Sequence, residues 1–206
     1  MQELIDFKNV HDMILSTVQS KPDRAVFRWR TEHNELASVT CREFYRDIRA
    51  AARSLMKLGV KKGDRVGIIS YSNYRWVQCD LAILSMGAST VGIYHSLPGG
   101  DIGYIIGHSG VTIVFAEDGE QVRKILSVIR TIPRVKKIIL MKGEYEGKGK
   151  NKVLSFDEFI ALGATVQESR LDGMIKAVRP GDLASIIYTS GTSGAPTGVM
   201  LTHDNT

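Results

Sequence analysis

The chain has little cysteine, no long apolar run, no internal repeat and no low-complexity tract. Its two cysteines, Cys41 and Cys79, stand far apart among 206 residues. They make no CxxC or Cys/His spacing, which argues against a disulfide framework and a structural zinc site. That usage fits a reducing compartment, so the expected location is the cytoplasm. No stretch approaches the ~20 consecutive apolar residues of a bilayer span. The opening stretch MQELIDFKNVHDMILSTVQS interrupts its apolar residues with acids and amides, so it lacks the apolar core of a secretory signal.

What is there is an ordinary globular composition. With 43% hydrophobic and 24% charged residues, the chain can bury a proper core as one domain or one and a half. The net charge of +5 raises the question of an anionic partner. Lys136, Lys137, Lys142, Lys148, Lys150 and Lys152 bunch in KKIILMKGEYEGKGKNK, where glycines and glutamates mark an exposed loop. The segment lacks the repeated aromatics that base stacking needs, so no nucleic-acid partner is expected. A weak peripheral attraction to acidic lipid stays open.

From residue 40 onward short β-branched runs alternate with helical periods, the pattern of an α/β fold with a mostly parallel sheet flanked by helices. Thr40 and Glu43 have capping-box spacing, and Phe44, Ile48, Ala51, Leu55 and Leu58 then recur as one apolar helix face ended by Gly59. The opposite face, Arg42, Arg46, Arg49, Arg53 and Lys57, reads as solvated surface. GDRVGIIS, ASTVGIY, TIVFA, KIILM and LASIIYTSG read as strands. Helices are expected at about 73–86, 100–108 and 119–130 and in SFDEFIALG. RAVFRWR and LASV flank the turn TEHNE, so residues 24–39 read as an N-terminal β-hairpin attached to the main sheet.

The chemistry concentrates in YTSGTSGAPTGVMLTH, residues 188–203. Gly191, Gly194 and Gly198 permit backbone conformations and close approaches that a Cβ would block. Thr189, Ser190, Thr192 and Ser193 add hydroxyl donors to a run of backbone N–H groups, a combination suited to phosphate oxygens. A Gly/Ser/Thr stretch can also be a bare linker. Against that reading, apolar SIIY and VMLT flank the loop and Pro196 stiffens it. The spacing fits neither the P-loop of NTPases nor GxGxxG. His203 reads as a local backbone or helix-start residue rather than a proton carrier. His11, His33, His95 and His108 show no constellation.

At these residues the sequence resembles the adenylate-forming (AMP-binding) superfamily: acyl-CoA synthetases, peptide-synthetase adenylation domains and firefly luciferase. That family's signature reads Tyr-Thr-Ser-Gly-Thr-Thr-Gly-x-Pro-Lys-Gly-Val. Residues 188–199 match it except at Ser193, a conservative change, and at Thr197, which stands where the family carries lysine. The likeness extends upstream through VTCREFYRDIRAAARSLMKLGVKKGDRVGIIS and WVQCDLAILSMGASTVGIYHSLPGGDIGYIIGHSGVTIVFAED to nearly the whole chain. AEDGEQVRKI and VLSFDEFIALG are similar to long-chain fatty acyl-CoA synthetases more than to peptide-synthetase domains.

The resemblance implies a ligase that joins a fatty acid to ATP as acyl-AMP and then transfers the acyl group to coenzyme A, with Mg²⁺ accompanying the nucleotide. It implies that Thr189, Ser190, Gly191, Thr192, Ser193 and Gly194 contact the β- and γ-phosphates. Residues 1–206 read as the N-terminal portion of such an enzyme, with residues 188–199 as its phosphate-binding signature loop. The family's catalytic lysine, adenine contacts and most of its acyl pocket come later than residue 206, so this portion alone is expected to form no thioester. Two alternatives share the resemblance: a non-catalytic nucleotide-binding relative, which Thr197 favours, and a luciferase-like oxygenase.

Overall fold

The computed structural model describes residues 7–30, 33–189 and 196–206. After helix α1 (Val10–Ser20) the chain forms strands β1 (Ala25–Arg30) and β2 (Leu36–Thr40), then helix α2 (Cys41–Lys57). Thr40 ends β2 and caps α2: its hydroxyl accepts the Glu43 N–H at 3.3 Å, and the Glu43 carboxylate accepts the Thr40 N–H at 2.8 Å. Beyond the other end of α2, Gly59 takes φ +88°, the left-handed turn that closes many helices.

Alternation then sets in: β3 (Arg65–Ile69), α3 (Tyr74–Ser85), β4 (Ser89–Ile93), α4 (Gly99–Ser109), β5 (Ile113–Ala116), α5 (Gly119–Ser127) and β6 (Lys137–Leu140). There follow β7 (Val153–Ser155), α6 (Phe156–Leu162), α7 (Glu168–Lys176), β8 (Leu183–Thr189) and β9 (Thr197–Thr202). Seven strands make one sheet in the order β7-β6-β5-β3-β4-β8-β9. Every pairing is parallel except β8 with β9.

Both faces of the sheet are covered. Successive strand residues point to opposite faces, so Ile113 and Phe115 of β5 pack with Ile48 and Leu55 of α2, Ile83 of α3 and Phe159 of α6. Val114 and Ala116 pack with Ile102 and Ile106 of α4 and Val122 and Ile125 of α5. Gly163 shows how close the first layer is: a Cβ there would lie 2.6 Å from Ser54 Oγ and 2.8 Å from Ser54 N. Both cysteines are free and buried in this side of the molecule.

Two expectations need correction. The N-terminal hairpin is present, but β1 and β2 form a two-stranded sheet of their own rather than joining the main one. Because Thr40 belongs to β2 and caps α2, the hairpin is held against the helical layer. There Phe27 meets Phe44 and Tyr74 at ring-centroid distances of 5.0 and 5.5 Å, and Trp29 stacks on Tyr74 at 5.6 Å. Nor is the arginine stripe of α2 wholly solvated. Arg49 and Arg53 are only 18% and 24% exposed, because α7 lies against them; Arg49 pairs with Glu168 and, at 2.8 Å, with Asp172, and Arg53 pairs with Glu168. The helices α1 and α7 and the strands β7 and β9 lie where no element was expected.

Candidate functional site

The connectivity opens a crevice. The chain passes from β3 through α3 to β4 on one face, then returns from β4 through α4 to β5 on the other. Loops leaving the carboxyl ends of adjacent β3 and β4 therefore diverge, which is where open α/β sheets place ligands. A cavity of about 430 Å³ lies there, lined by Ser70–Ser72 and Trp76 on one side, Thr90 and Gly92–His95 on another, and Ser185 and Ile187 of β8.

Local rules hold its rim in place. Asn73 caps α3 by accepting the Trp76 N–H at 3.0 Å, and its amide donates to Ser70 Oγ at 3.0 Å. The Glu117 carboxylate accepts the Tyr71 N–H at 2.8 Å, and the Tyr71 ring lies 3.5 Å from that of His95. Deeper in, the Thr90 hydroxyl is buried without a hydrogen-bond partner. It stands near the Asp80 carboxyl, outside hydrogen-bond geometry. Burial pushes the Asp80 pKa up to about 6, and the nearby hydroxyl only partly opposes that rise.

β8 runs along this crevice beside β4 and delivers the signature segment to its mouth. Tyr188 is buried and Thr189 is exposed at the strand's end. Ser190, Gly191, Thr192, Ser193 and Gly194 lie outside the described residues. The chain returns at Pro196, and β9 pairs with β8 from Thr197 opposite Thr189 to Thr202 opposite Leu183. Both ends of the segment are thus tied into the sheet, which argues against a bare linker. A Cβ at Gly198 would crowd this return, meeting Ile186 at 3.0 Å and the Tyr188 ring at 3.2 Å.

Thr197, at the lysine position of the resemblance, is exposed at the base of the segment. Hydroxyls and main-chain groups line most of the crevice, with the His95 ring and the Trp76 indole beside them and the Glu117 carboxylate at the rim. Among the described residues no group of three or more His, Cys, Asp or Glu could hold a metal ion.

The remaining candidates have structural places. His203 opens a short 3-10 turn, the helix-start place its position suggested, and its N–H donates across the sheet end to Asp182 O at 3.1 Å. Burial lowers its pKa, which keeps the ring neutral. His11 is buried between Ser85 Oγ at 2.9 Å and the Tyr45 hydroxyl at 3.2 Å. His108 is different: its Nδ1 shares a 2.6 Å hydrogen bond with the Tyr188 phenol, 80 positions away. No spacing rule could have joined those two. The lysine-rich connection between β6 and β7 lies at the far edge of the sheet from β8 and β9. Among the described residues no helix is long and apolar enough to cross a membrane.

The chain is similar to known proteins in sequence and in fold. The chain is 34% identical over 197 residues to the long-chain-fatty-acid–CoA ligase FadD15 of Mycobacterium bovis, covering 96% of this chain and 32% of that protein. It is 31% identical over 196 residues to the long-chain-fatty-acid–CoA ligase ACSBG2 of Xenopus laevis, covering 95% of this chain and 26% of the relative. It thus spans about a quarter to a third of these relatives. Among solved structures, the anthranilate CoA ligase AuaEII in complex with anthranoyl-AMP superimposes with a TM-score of 0.79 at 24% identity, over 98% of this chain and 36% of that one, which shows a shared fold. The model of the AMP-binding enzyme family matches residues 15–206. That match spans nearly the whole length, so this chain belongs to the AMP-binding enzyme family.

Proposed function

We propose that this chain is the ATP-gripping part of a long-chain fatty acid–CoA ligase, which activates a fatty acid as acyl-AMP and passes the acyl group to coenzyme A. The observation that carries the reading is the segment 188–199, which keeps the family's signature and leaves the sheet at the mouth of the crevice. The fatty acyl-CoA ligases among its relatives support the choice of acid.

In this reading Thr189, Ser190, Gly191, Thr192, Ser193 and Gly194 surround the β- and γ-phosphates with hydroxyl and main-chain donors. A carboxylate and a triphosphate repel each other, so the protein's first task is to hold two anions together. Its second is to stabilise charge as pyrophosphate departs. Mg²⁺, when bound with the nucleotide, neutralises part of that charge. The residues that act on the acid and on coenzyme A are proposed to lie outside this chain, which alone should form no acyl-CoA. The proposed setting is the cytoplasm, with the β6–β7 lysines available for weak contact with acidic lipid.

The test is ATP–pyrophosphate exchange by a chain extended to the length of its relatives, with and without a long-chain fatty acid. Exchange that requires the fatty acid is expected. A folded, extended chain that shows none overturns the ligase reading. Thr197 favours one second reading, a relative that binds nucleotide without using it. Retained Mg-ATP affinity with no pyrophosphate release would select that alternative.

A further inference from the structure

We propose that Tyr104 and His108 are positioning residues, a two-point clamp by which α4 holds both ends of the signature segment. The two side chains stand one helical turn apart on one face of α4, with rings 5.5 Å apart and nearly parallel at 18°. His108 Nδ1 shares a 2.6 Å hydrogen bond with the hydroxyl of Tyr188, where the segment begins. The Tyr104 hydroxyl donates to Pro196 O at 3.3 Å, where it returns. Pro196 has no N–H, so this carbonyl is its one main-chain hydrogen-bonding group.

The holder is itself rigid. Ile102, Ile105 and Ile106 of α4 are buried against the sheet, and Gly110 ends the helix in the left-handed conformation at φ +71°. Tyr188 is 6% exposed, and burial raises its pKa; which partner donates in its bond to His108 follows from the imidazole tautomer. The His108 ring also meets Tyr188 edge to face at 5.8 Å. β-Sheet pairing alone fixes the spacing of the two ends. The clamp adds their orientation relative to the helical layer, and such preorganisation is what an anion-gripping loop needs. Neither residue need touch ligand.

The functional half of this proposal rests on the phosphate-binding reading, whereas the clamp does not. Hydrogen exchange on this chain separates them. In the double variant Tyr104→Phe/His108→Leu, amides of residues 189–199 should exchange about tenfold faster, while those of β3, β4 and β5 stay unchanged. Each single variant should show part of the effect, and His108→Gln, which keeps an acceptor, should show little. Mg-ATP should bind the double variant about tenfold more weakly. Unchanged exchange in residues 189–199 overturns the clamp. So does acceleration that spreads equally through β3–β5, which would mean general loss of packing. Segment-confined acceleration, together with no Mg-ATP binding by a wild-type chain extended to the length of its relatives, sustains the clamp and overturns the phosphate reading instead.

Discussion

Replacing Thr197 by lysine should strengthen the grip on phosphate. Thr197 is exposed and is the first residue of β9, with its Cα paired across the hairpin to that of Thr189. A lysine there starts at the base of the segment and displaces no packed atom. The fold should tolerate it, since exposed substitutions usually stay within about 0.5 kcal/mol. Two unit charges about 4 Å apart attract by about 1 kcal/mol in bulk water and by about 4 kcal/mol at the effective dielectric near a protein surface. The exposure of Thr197 places the gain toward the lower end, about 1–2 kcal/mol, or roughly 5- to 30-fold in affinity. Equilibrium dialysis of labelled Mg-ATP against wild type, Thr197→Lys and Thr197→Met measures it. Thr197→Met matches the length without the charge and should gain nothing. Because the Debye length falls from about 8 Å at physiological salt to about 3 Å at 1 M, the gain should shrink with added salt. Equal affinity in wild type and Thr197→Lys would refute the reasoning, as would an equal gain in Thr197→Met.

Three further outcomes concern stability. Gly163→Ala places a Cβ within 3.0 Å of Ala50 O and closer still to Ser54 N and Oγ. Two of these are backbone atoms of α2, so a loss of about 1–3 kcal/mol is expected in urea unfolding. An unchanged midpoint would contradict that packing. Asp80 has its folded pKa raised by burial from 3.8 to about 6. The folded state therefore holds a proton that the unfolded state has released, and stability should fall as pH rises from about 4 to about 6, by at most about 3 kcal/mol. Asp80→Asn should remove that decline; a profile unaltered by the substitution would show that Asp80 does not cause it. Glu168→Gln removes one carboxylate from both Arg49 and Arg53. Glu168 is itself 51% exposed, so the expected cost is about 1 kcal/mol. Its dependence on salt, read by thermal unfolding at low and high ionic strength, checks that the loss is electrostatic.

Much of this was legible from residues close together in the chain. The Thr40–Glu43 capping box, the apolar face of α2 and the β-branched runs of β3, β4, β5 and β6 obey rules that act within a turn or a few strand residues. The signature of residues 188–199 is likewise contiguous. Elements that escaped notice carry weak local signals. In α7 only Leu171 is buried, so its sequence shows little apolar period. In β9 the main chain does the pairing while Val199 and Met200 stay 46% and 68% exposed, leaving no alternation to read.

The amino-acid order by itself thus determined the α/β class, most helices and strands, and the presence of a glycine- and hydroxyl-rich segment after β8, because hydrophobic period, capping and glycine spacing are local properties. It did not determine which surfaces would meet. That the hairpin rests on α2 and α3, that Arg49 and Arg53 face α7, and that His108 reaches Tyr188 follow from the packing of segments distant in sequence. So does the crevice between β3 and β4. It exists because two crossovers leave neighbouring strands toward opposite faces, and that geometry comes into being only when the sheet is assembled.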